Sequence, residues 1–161
     1  MNDLLLREAT DQDIPTLVTV LRTAFEEYRG RLDPPSGAHT ETVEKVRQKL
    51  TTACAVVAVI NQEITGCVFY QPENDLMYLD RLAVLPLYRR RGLAKALIDY
   101  VEARARALGL SHVRLGVRVV LRDNWAYYER LGYYLVEYKA HKGYTEPTYV
   151  ILEKDVAQAS L

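Results

Sequence analysis

The sequence predicts an α/β (α+β) domain in which a central mixed sheet carries helices on both faces. Segments with helical apolar spacing and segments with strand-like alternation follow one another along the chain, and this order favours a layered sheet with helices. The chain has 161 residues, of which 49% are hydrophobic and 26% charged, and this is enough to bury a proper core. We therefore expect one domain spanning residues 1–161.

Several segments have the pattern of strands. Val113, Leu115 and Val117 alternate with polar residues, which is the period of a strand with one buried face. Other segments are short apolar runs between turn residues, including a hairpin joined around Asn61 and Gln62. In chain order the predicted strands are residues 4–8, 55–60, 64–70, 76–84, 113–119, 133–139 and about 148–153.

Other segments have the pattern of helices. Thr10 can cap a helix whose apolar face includes Ile14 and Leu21. A later helix buries Leu97 and Val101, and Gly109 is a natural stop for it. Glycine and paired prolines predict a loop over residues 28–37. In chain order the predicted helices are residues 11–25, about 40–52, 93–108 and 123–130.

Composition argues against several classes of function. Lys and Arg number 21 and balance 21 Asp and Glu, whereas a general nucleic-acid binder carries a broad basic surface. No apolar run could cross a bilayer, and the first residues lack the pattern of a signal peptide, so no membrane association is expected. Cys54 and Cys67 form no metal-ligand pattern. We expect two buried thiols in a reducing cytoplasm, and no metal.

The basic turn Arg89-Arg-Arg-Gly-Leu-Ala94 is the most informative segment for function. It joins a predicted strand to a predicted helix, and the first N–H groups of a helix have no partner within it. With the positive end of the helix dipole behind them, such groups can hold a phosphate. Gly92 lets the backbone approach an anion, and Ala94 keeps the first helical turn slim. Any of three arginines could contact phosphate oxygens: Arg89, Arg90 and Arg91.

Two signatures in this order resemble those of the GNAT acyltransferases, which use acetyl-CoA or a related acyl-CoA. Arg89-x-x-Gly92-x-Ala94 after Val84 is similar to the pyrophosphate-binding signature of that family. Tyr128-Glu-Arg-Leu-Gly-Tyr133 resembles its second signature. The resemblance implies a mostly antiparallel sheet of about seven strands with about four helices. It also implies that the sheet splays between its central strands and leaves a V-shaped cleft for CoA.

The resemblance also assigns residues to CoA. The backbone from Leu82 to Val84 would pair with the pantetheine arm, and its N–H groups near Leu82 and Val84 could stabilise an oxyanion. The family often has Asn seven residues before the motif tyrosine and Ala four before it, where this chain has Leu121 and Asn124. The implied cofactor contacts are Leu82, Ala83, Val84, Arg89, Arg90, Arg91, Gly92, Leu93, Ala94, Lys95, Asn124 and Tyr127.

Two residues are candidates for proton transfer. Tyr128 stands at the acid position of the family motif, and a phenol, with a pKa of about 10, lies close enough to a thiol, at about 8.5, for nearly balanced transfer. A packing role is the alternative, because the chain has 12 tyrosines. Asp80 falls on the strand where many family members carry a glutamate that accepts the amine proton. An ion pair with a neighbouring arginine such as Arg81 is its alternative role.

The sequence thus predicts a cytoplasmic N-acyltransferase that moves an acyl group from acyl-CoA to a primary amine of a small molecule or peptide. The amine would attack directly in a ternary complex, and the acceptor would contact the loops at residues 28–37 and 140–147. Family members are often dimers, so a homodimer is a further expectation. Two alternatives remain open: an acyl-CoA sensor without turnover, and a domain that binds another phosphorylated ligand.

Overall fold

One seven-stranded sheet forms the centre of the structure, a computed structural model that describes residues 3–157. Its strands are β1 (Leu4–Glu8), β2 (Cys54–Ile60), β3 (Glu63–Glu73), β4 (Leu76–Val84), β5 (His112–Arg118), β6 (Tyr134–Lys139) and β7 (Tyr149–Asp155). Its α-helices are α1 (Ile14–Phe25), α2 (Val43–Lys49), α3 (Leu93–Ala107) and α4 (Arg122–Arg130). Residues 1, 2 and 158–161 of the expected domain lie outside the described residues. No helix in the described part of the chain is long and apolar enough to cross a bilayer.

The strand order is β1-β2-β3-β4-β5-β7-β6, and most neighbours run antiparallel. The exception is β4 and β5, which run parallel and are connected through α3. A parallel pair needs a crossover of this kind, usually a helix, because the chain must return to the same end of the sheet. The predicted mixed, mostly antiparallel sheet is confirmed.

Helices cover both faces of the sheet, as predicted. On one face α3 buries Leu97 and Val101 against strand residues such as Leu115. On the other face α1 buries Leu17 against strand residues such as Phe69. The apolar residues of both helices recur every three or four positions, so each helix presents one apolar side to the sheet.

Two local predictions were wrong. The second helix was expected over about residues 40–52 but spans Val43–Lys49, because the Thr42 hydroxyl accepts the Lys45 N–H at 3.1 Å and starts the helix there. A separate 3₁₀ turn, Gly37–Thr40, precedes it. Cys67 is buried as expected, but Cys54, the first residue of β2, is exposed although its neighbours Ala53 and Ala55 are buried.

The central pair of strands separates part of the way along its length. β4 pairs with β5 only from Leu76 to Tyr78, and no strand within residues 3–157 pairs with the rest of β4 on that side. The other edge of β4 carries a bulge, since Arg81 and Leu82 both stand opposite the single residue Val68 of β3. Arg81 has a φ of +54°, which turns the strand at this point. The predicted splay is therefore confirmed.

Gly66 on β3 supports this distorted segment by its lack of a side chain. A Cβ at this position would lie 2.8 Å from the Ala83 carbonyl oxygen of β4, which is backbone and cannot move aside alone. We expect Gly66→Ala to lower the free energy of unfolding by about 1–3 kcal/mol, as overpacking does elsewhere. Denaturant titration of the variant and the natural protein measures the change.

Gly116→Ala on β5 is the matched control for this prediction. Its added Cβ would meet the Tyr149 ring and the Tyr78 hydroxyl at 3.5 Å, which is ordinary contact. We expect its stability to equal or slightly exceed that of the natural protein, since alanine restricts the unfolded chain more than glycine. Equal losses in the two variants would contradict a specific clash at Ala83.

Candidate functional site

The separation of β4 from β5 opens a cleft of about 670 Å³. The end of α1, the loop before α2 and the inner side of α4 complete its walls. The cleft lining includes ten of the predicted site residues: Asp80, Leu82, Ala83, Val84, Arg89, Arg90, Ala94, Asn124, Tyr127 and Tyr128. The structure thus brings most of the predicted residues to one cavity. Residues 3–157 hold no group of three or more His, Cys, Asp or Glu that could bind a metal.

The turn at the start of α3 has the geometry of an anion site. Arg90 and Gly92 have φ values of +64° and +79°, and such left-handed residues make successive N–H groups converge. Gly92, the N-cap residue of α3, has no side chain with which to cap that helix. Within residues 3–157, the backbone N–H groups of 90–95 donate to no protein acceptor. The predicted unpaired amides are therefore present at this corner of the cleft.

Two of the three arginines of the turn have partners within the protein. Arg89 does not point toward an open anion site, because it donates to the carbonyl oxygens of Val84 at 3.1 Å and Ala24 at 2.9 Å and pairs with Glu27. Since Ala24 lies at the negative end of α1, the Arg89 guanidinium ties that helix to β4. Arg91 lies over the Tyr88 ring at 5.1 Å.

Other members of the predicted set also have structural partners. Leu93 is buried in the core beneath α3, so its backbone alone faces the turn. Lys95 pairs with Asp99 at 2.8 Å along the exposed side of the same helix. Arg90 has no side-chain partner within residues 3–157 and lines the cleft. Among the arginines of the turn, Arg90 is therefore the best placed to contact a phosphate.

Tyr128 lies on α4 with its ring among other aromatic rings. The rings of Tyr127 and Tyr133 contact it edge-on, with centroid distances of 5.7 Å and 5.8 Å. Burial raises the pKa of Tyr128 above its ordinary value, so the phenol stays protonated at neutral pH. One turn earlier, Asn124 donates to the Tyr28 hydroxyl at 3.3 Å. That bond joins α4 to the 3₁₀ turn Glu26–Tyr28, which follows α1.

Asp80 has a cationic partner, but it is not Arg81. Its Oδ2 lies 2.5 Å from Nζ of Lys49 on α2, and the side chains keep exposures of 36% and 29%. Arg81 instead donates to Glu41 at 3.2 Å. The bulge explains this exchange of partners, since two consecutive residues of β4 are displaced from regular alternation at that point. Asp80 remains part of the cleft lining and accessible to a ligand.

Tyr128 and Asp80 reach the cleft from opposite faces of the sheet. Tyr128 packs on the core beneath α3 and α4, and Leu115 and Val117 of β5 point to the same side. Asp80 contacts α2 on the other face. The α1/α2 face and the α3/α4 face therefore each contribute one of the predicted proton-transfer residues.

Two polar residues of the cleft received no definite role from the sequence, although His141 lies in the loop at residues 140–147 that was expected to contact the acceptor. Arg118, at the end of β5, donates to the Pro34 carbonyl oxygen at 2.7 Å and lines the cavity. The strand alternation of residues 113–119 already placed Arg118 opposite the buried face, which was the available signal. His141 also lines the cavity, and its Nδ1 lies 2.5 Å from Oγ1 of Thr148. The antiparallel pairing of β6 and β7 brings these two together, which the sequence did not reveal.

Comparison with known proteins agrees with this architecture. A model of the acetyltransferase (GNAT) family matches residues 17–133. The chain therefore belongs to the GNAT family, which confirms the resemblance of its two signatures. It is 27% identical over 139 residues to the uncharacterized N-acetyltransferase YjgM of Escherichia coli (strain K12), with 83% of each chain covered.

Solved structures show the same fold. The PaiA N-acetyltransferase from Thermoplasma acidophilum, in complex with coenzyme A, gives a TM-score of 0.78 at 20% identity and covers 95% of this chain and 99% of its own. The ribosomal-protein-S18-alanine N-acetyltransferase from Escherichia coli gives 0.79 at 18% identity, with coverages of 98% and 97%. At these identities the likeness concerns the fold of the chain.

Proposed function

We propose that this protein is an acyl-CoA-dependent N-acyltransferase that acetylates, or otherwise acylates, a primary amine of a small molecule or peptide. The observation that carries the proposal is the unpaired edge of β4 beyond Tyr78. This edge runs from the unpaired amides of the α3 turn to Asp80 and faces Tyr128 across the cleft. A donor, an acceptor and a proton source can therefore meet along one strand.

The donor is acyl-CoA. Its pyrophosphate would accept hydrogen bonds from the backbone N–H groups of 90–95, with Arg90 adding charge-assisted contacts. Its pantetheine amides would pair with the unpaired edge of β4 at Leu82 and Val84, as an additional strand does. A related fold, that of PaiA from Thermoplasma acidophilum, was solved with coenzyme A bound. No metal is required for any of these contacts.

The reaction is direct attack of the amine on the thioester carbonyl. The amine enters from the α1/α2 face, where Asp80 accepts a proton from it, directly or through water. The neutral amine then forms the C–N bond while backbone N–H groups of β4 stabilise the oxyanion. The attacking nitrogen loses its second proton to water, and the C–S bond breaks. Tyr128, on the other face, donates its proton to the leaving thiolate and is reprotonated from solvent. The Lys49 contact holds the Asp80 carboxylate at the cleft.

The test of this function is release of free CoA thiol. Purified protein is incubated with acetyl-CoA and a panel of amino acids, polyamines, short peptides and other primary amines. We expect thiol release that depends on an amine, with the acylated amine detected by mass spectrometry. Tight CoA binding without turnover across the panel would favour the sensor alternative. Absence of CoA binding would contradict both.

Asp80→Asn tests the proton acceptor. We expect kcat/KM to fall by roughly 10²-fold near neutral pH, the lower end of the usual contribution of a general base. The deficit should shrink as pH approaches the pKa of the amine, because a neutral amine no longer needs a base. A pH–rate profile of both proteins measures this change.

Asp75→Asn is the matched control for the Asp80 variant. Asp75 is an exposed residue in the turn between β3 and β4, at the end of β4 away from the cleft. The same chemical change there should leave the rate and its pH dependence as they are. A deficit in Asp80→Asn that stays constant with pH would assign Asp80 a structural role.

A further inference from the structure

Arg118 is a cation in the cleft with an unusual set of partners. Its Nη1 and Nη2 groups donate to the carbonyl oxygens of Pro34 and Pro35, at 2.7 Å and 3.4 Å. Both acceptors are neutral backbone groups of the loop that follows α1. A guanidinium carries five N–H donors, so these two bonds leave other donors of Arg118 for another acceptor.

Two other cations near Arg118 on this face have carboxylate partners. Lys49 pairs with Asp80 at 2.5 Å, and Arg81 donates to Glu41 at 3.2 Å. Within residues 3–157, no carboxylate oxygen lies within 4.0 Å of Arg118. The carboxylate of Asp33, which is nearby in the same loop, accepts the Tyr144 hydroxyl instead. Arg118 is therefore a guanidinium of the cleft with no carboxylate in direct contact, and the Asp33 charge acts on it only at longer range.

The surroundings of Arg118 make an anion a favourable ligand. Burial lowers the pKa of the Arg118 guanidinium, which nevertheless stays charged because arginine does not deprotonate in proteins. A partly buried charge without a counter-ion is costly, and an anion that enters the cleft would offset that cost. A planar guanidinium also binds a carboxylate through two parallel hydrogen bonds, which fixes the orientation of the ligand.

His141 adds a second donor near Arg118. Thr148 Oγ1 accepts the His141 backbone N–H at 2.9 Å and also lies 2.5 Å from Nδ1 of the His141 ring. If the Thr148 hydroxyl donates its hydrogen to Nδ1, the proton of the neutral ring is on Nε2. Burial, followed by the positive charge of Arg118, lowers the pKa of His141, which favours this neutral form.

We propose that the acceptor of this enzyme is a small amine that also carries an anionic group, and that Arg118 binds that group while the amine lies at Asp80. This inference rests on the proposed acyl transfer and adds the class of its acceptor. Asp80 and Arg118 lie on the two strands that separate, on the same α1/α2 face of the cleft. β4 and β5 run parallel, and the register of their pairing gives Asp80 a level position on β5. Arg118 lies two residues beyond that position.

The distance between Asp80 and Arg118 favours an amino acid over a simple amine as the acceptor. Two residues of a parallel strand correspond to about 6.6 Å, and the open cleft adds the distance between the strands. An amino group and a carboxylate on one short chain can reach both side chains across such a gap. Carboxylate, phosphonate and sulfonate share the required chemistry, so the experiment includes each of them.

The experiment compares kcat/KM for acids and their uncharged counterparts. The acceptors are ω-amino acids with one to four methylene groups, the corresponding amides, 2-aminoethylphosphonate and taurine. We expect the natural protein to prefer an acid over its amide by roughly 10- to 100-fold, the value of bonds to a charged group. Arg118→Gln should lose this preference while still acylating the amides. The anionic acceptor with the highest kcat/KM identifies the kind of group that Arg118 binds.

Two further variants keep the test decisive. Arg118→Lys retains the charge but loses the planar pair of donors, so it should keep part of the preference; it decides the question if Arg118→Gln does not fold. Arg47→Gln makes the same change in net charge on an exposed side of α2, outside the cleft, and should keep the full preference.

Each negative result has a distinct meaning. An equal rate with acids and amides in the natural protein, or a preference that survives in Arg118→Gln, overturns the assignment of Arg118 and leaves the acyltransferase in place. A protein that acylates none of these amines, nor the wider panel, contradicts the proposed function and with it this acceptor.

Discussion

Tyr128→Phe is expected to lower kcat for amine acylation by roughly 10²- to 10³-fold while CoA still binds. The substitution keeps the ring that packs against Tyr127 and Tyr133 and removes the hydroxyl alone. Loss of a positioned general acid costs a factor within the usual range for such groups. Steady-state kinetics with acetyl-CoA, together with calorimetric titration of CoA, separate the chemical step from binding.

The pH dependence adds a second measurement on Tyr128. Burial raises the pKa of this phenol, so it should remain protonated to pH values above the ordinary tyrosine range near 10. The kcat of the natural protein should therefore not fall through ionisation of Tyr128 below about pH 10. A thiolate that leaves beside the buried Tyr128 would be desolvated in the same way, so its basicity would rise for the same reason and the transfer would stay nearly balanced.

Tyr134→Phe provides the control for the lost hydroxyl. Tyr134 is an exposed residue of β6, the edge strand of the sheet, and it is absent from the cleft lining. We expect it to retain the kcat of the natural protein. If Tyr128→Phe retained that kcat as well, Tyr128 would be a packing residue and the thiolate would take its proton from water.

Gly92→Glu is expected to weaken CoA binding by more than about 100-fold, since it removes charge-assisted bonds and adds a negative charge beside the phosphates. A Cβ at Gly92 would meet no atom within 4 Å, so the effect does not come from a clash. It comes from the φ of +79°, which is strained for any residue with a side chain, and from the added carboxylate. Calorimetry or a thermal-shift titration with CoA measures the loss.

Gly109→Glu makes the same chemical change at the other end of α3. Gly109 has a φ of +73° and equally open space around its Cβ, but it lies at the helix C-terminus. The strain and the added charge are therefore matched, and the distance from the proposed phosphate site differs. We expect CoA affinity close to that of the natural protein. Equal losses in both variants would show that general destabilisation, not the phosphate site, causes the effect.

The local elements and the broad layout of the sheet could be predicted from the sequence. The alternation of residues 113–119 and the helical spacing around Leu97 and Val101 each encode one buried face, so their elements follow from short-range pattern. The positive φ of Gly92 also follows, because few other residues adopt it at low cost. The roles assigned to Tyr128 and Asp80 remain predictions.

The partners of charged side chains could not be predicted in the same way. Asp80 and Lys49 are 31 positions apart in the chain, and Arg89 is 65 positions from the carbonyl of Ala24 that it binds. These contacts depend on how α1 and α2 pack on the bulged strand, and no local pattern encodes the bulge. Arg118 was overlooked as a site residue for a similar reason. Its importance depends on the loop at Pro34, whose path the sequence left open.

The brief junction of β4 with β5 has a mechanical consequence for the whole molecule. These strands pair over three residues each, whereas every other neighbouring pair in the described sheet extends over at least five. The sheet thus consists of two sub-sheets, one formed by β1 to β4 and the other by β5 to β7, which are joined through these three residue pairs. An acyl-CoA bound in the cleft would contact both sub-sheets and so hold them together. Binding of acyl-CoA in the cleft should therefore raise the midpoint of thermal unfolding of the entire chain and not merely order one loop.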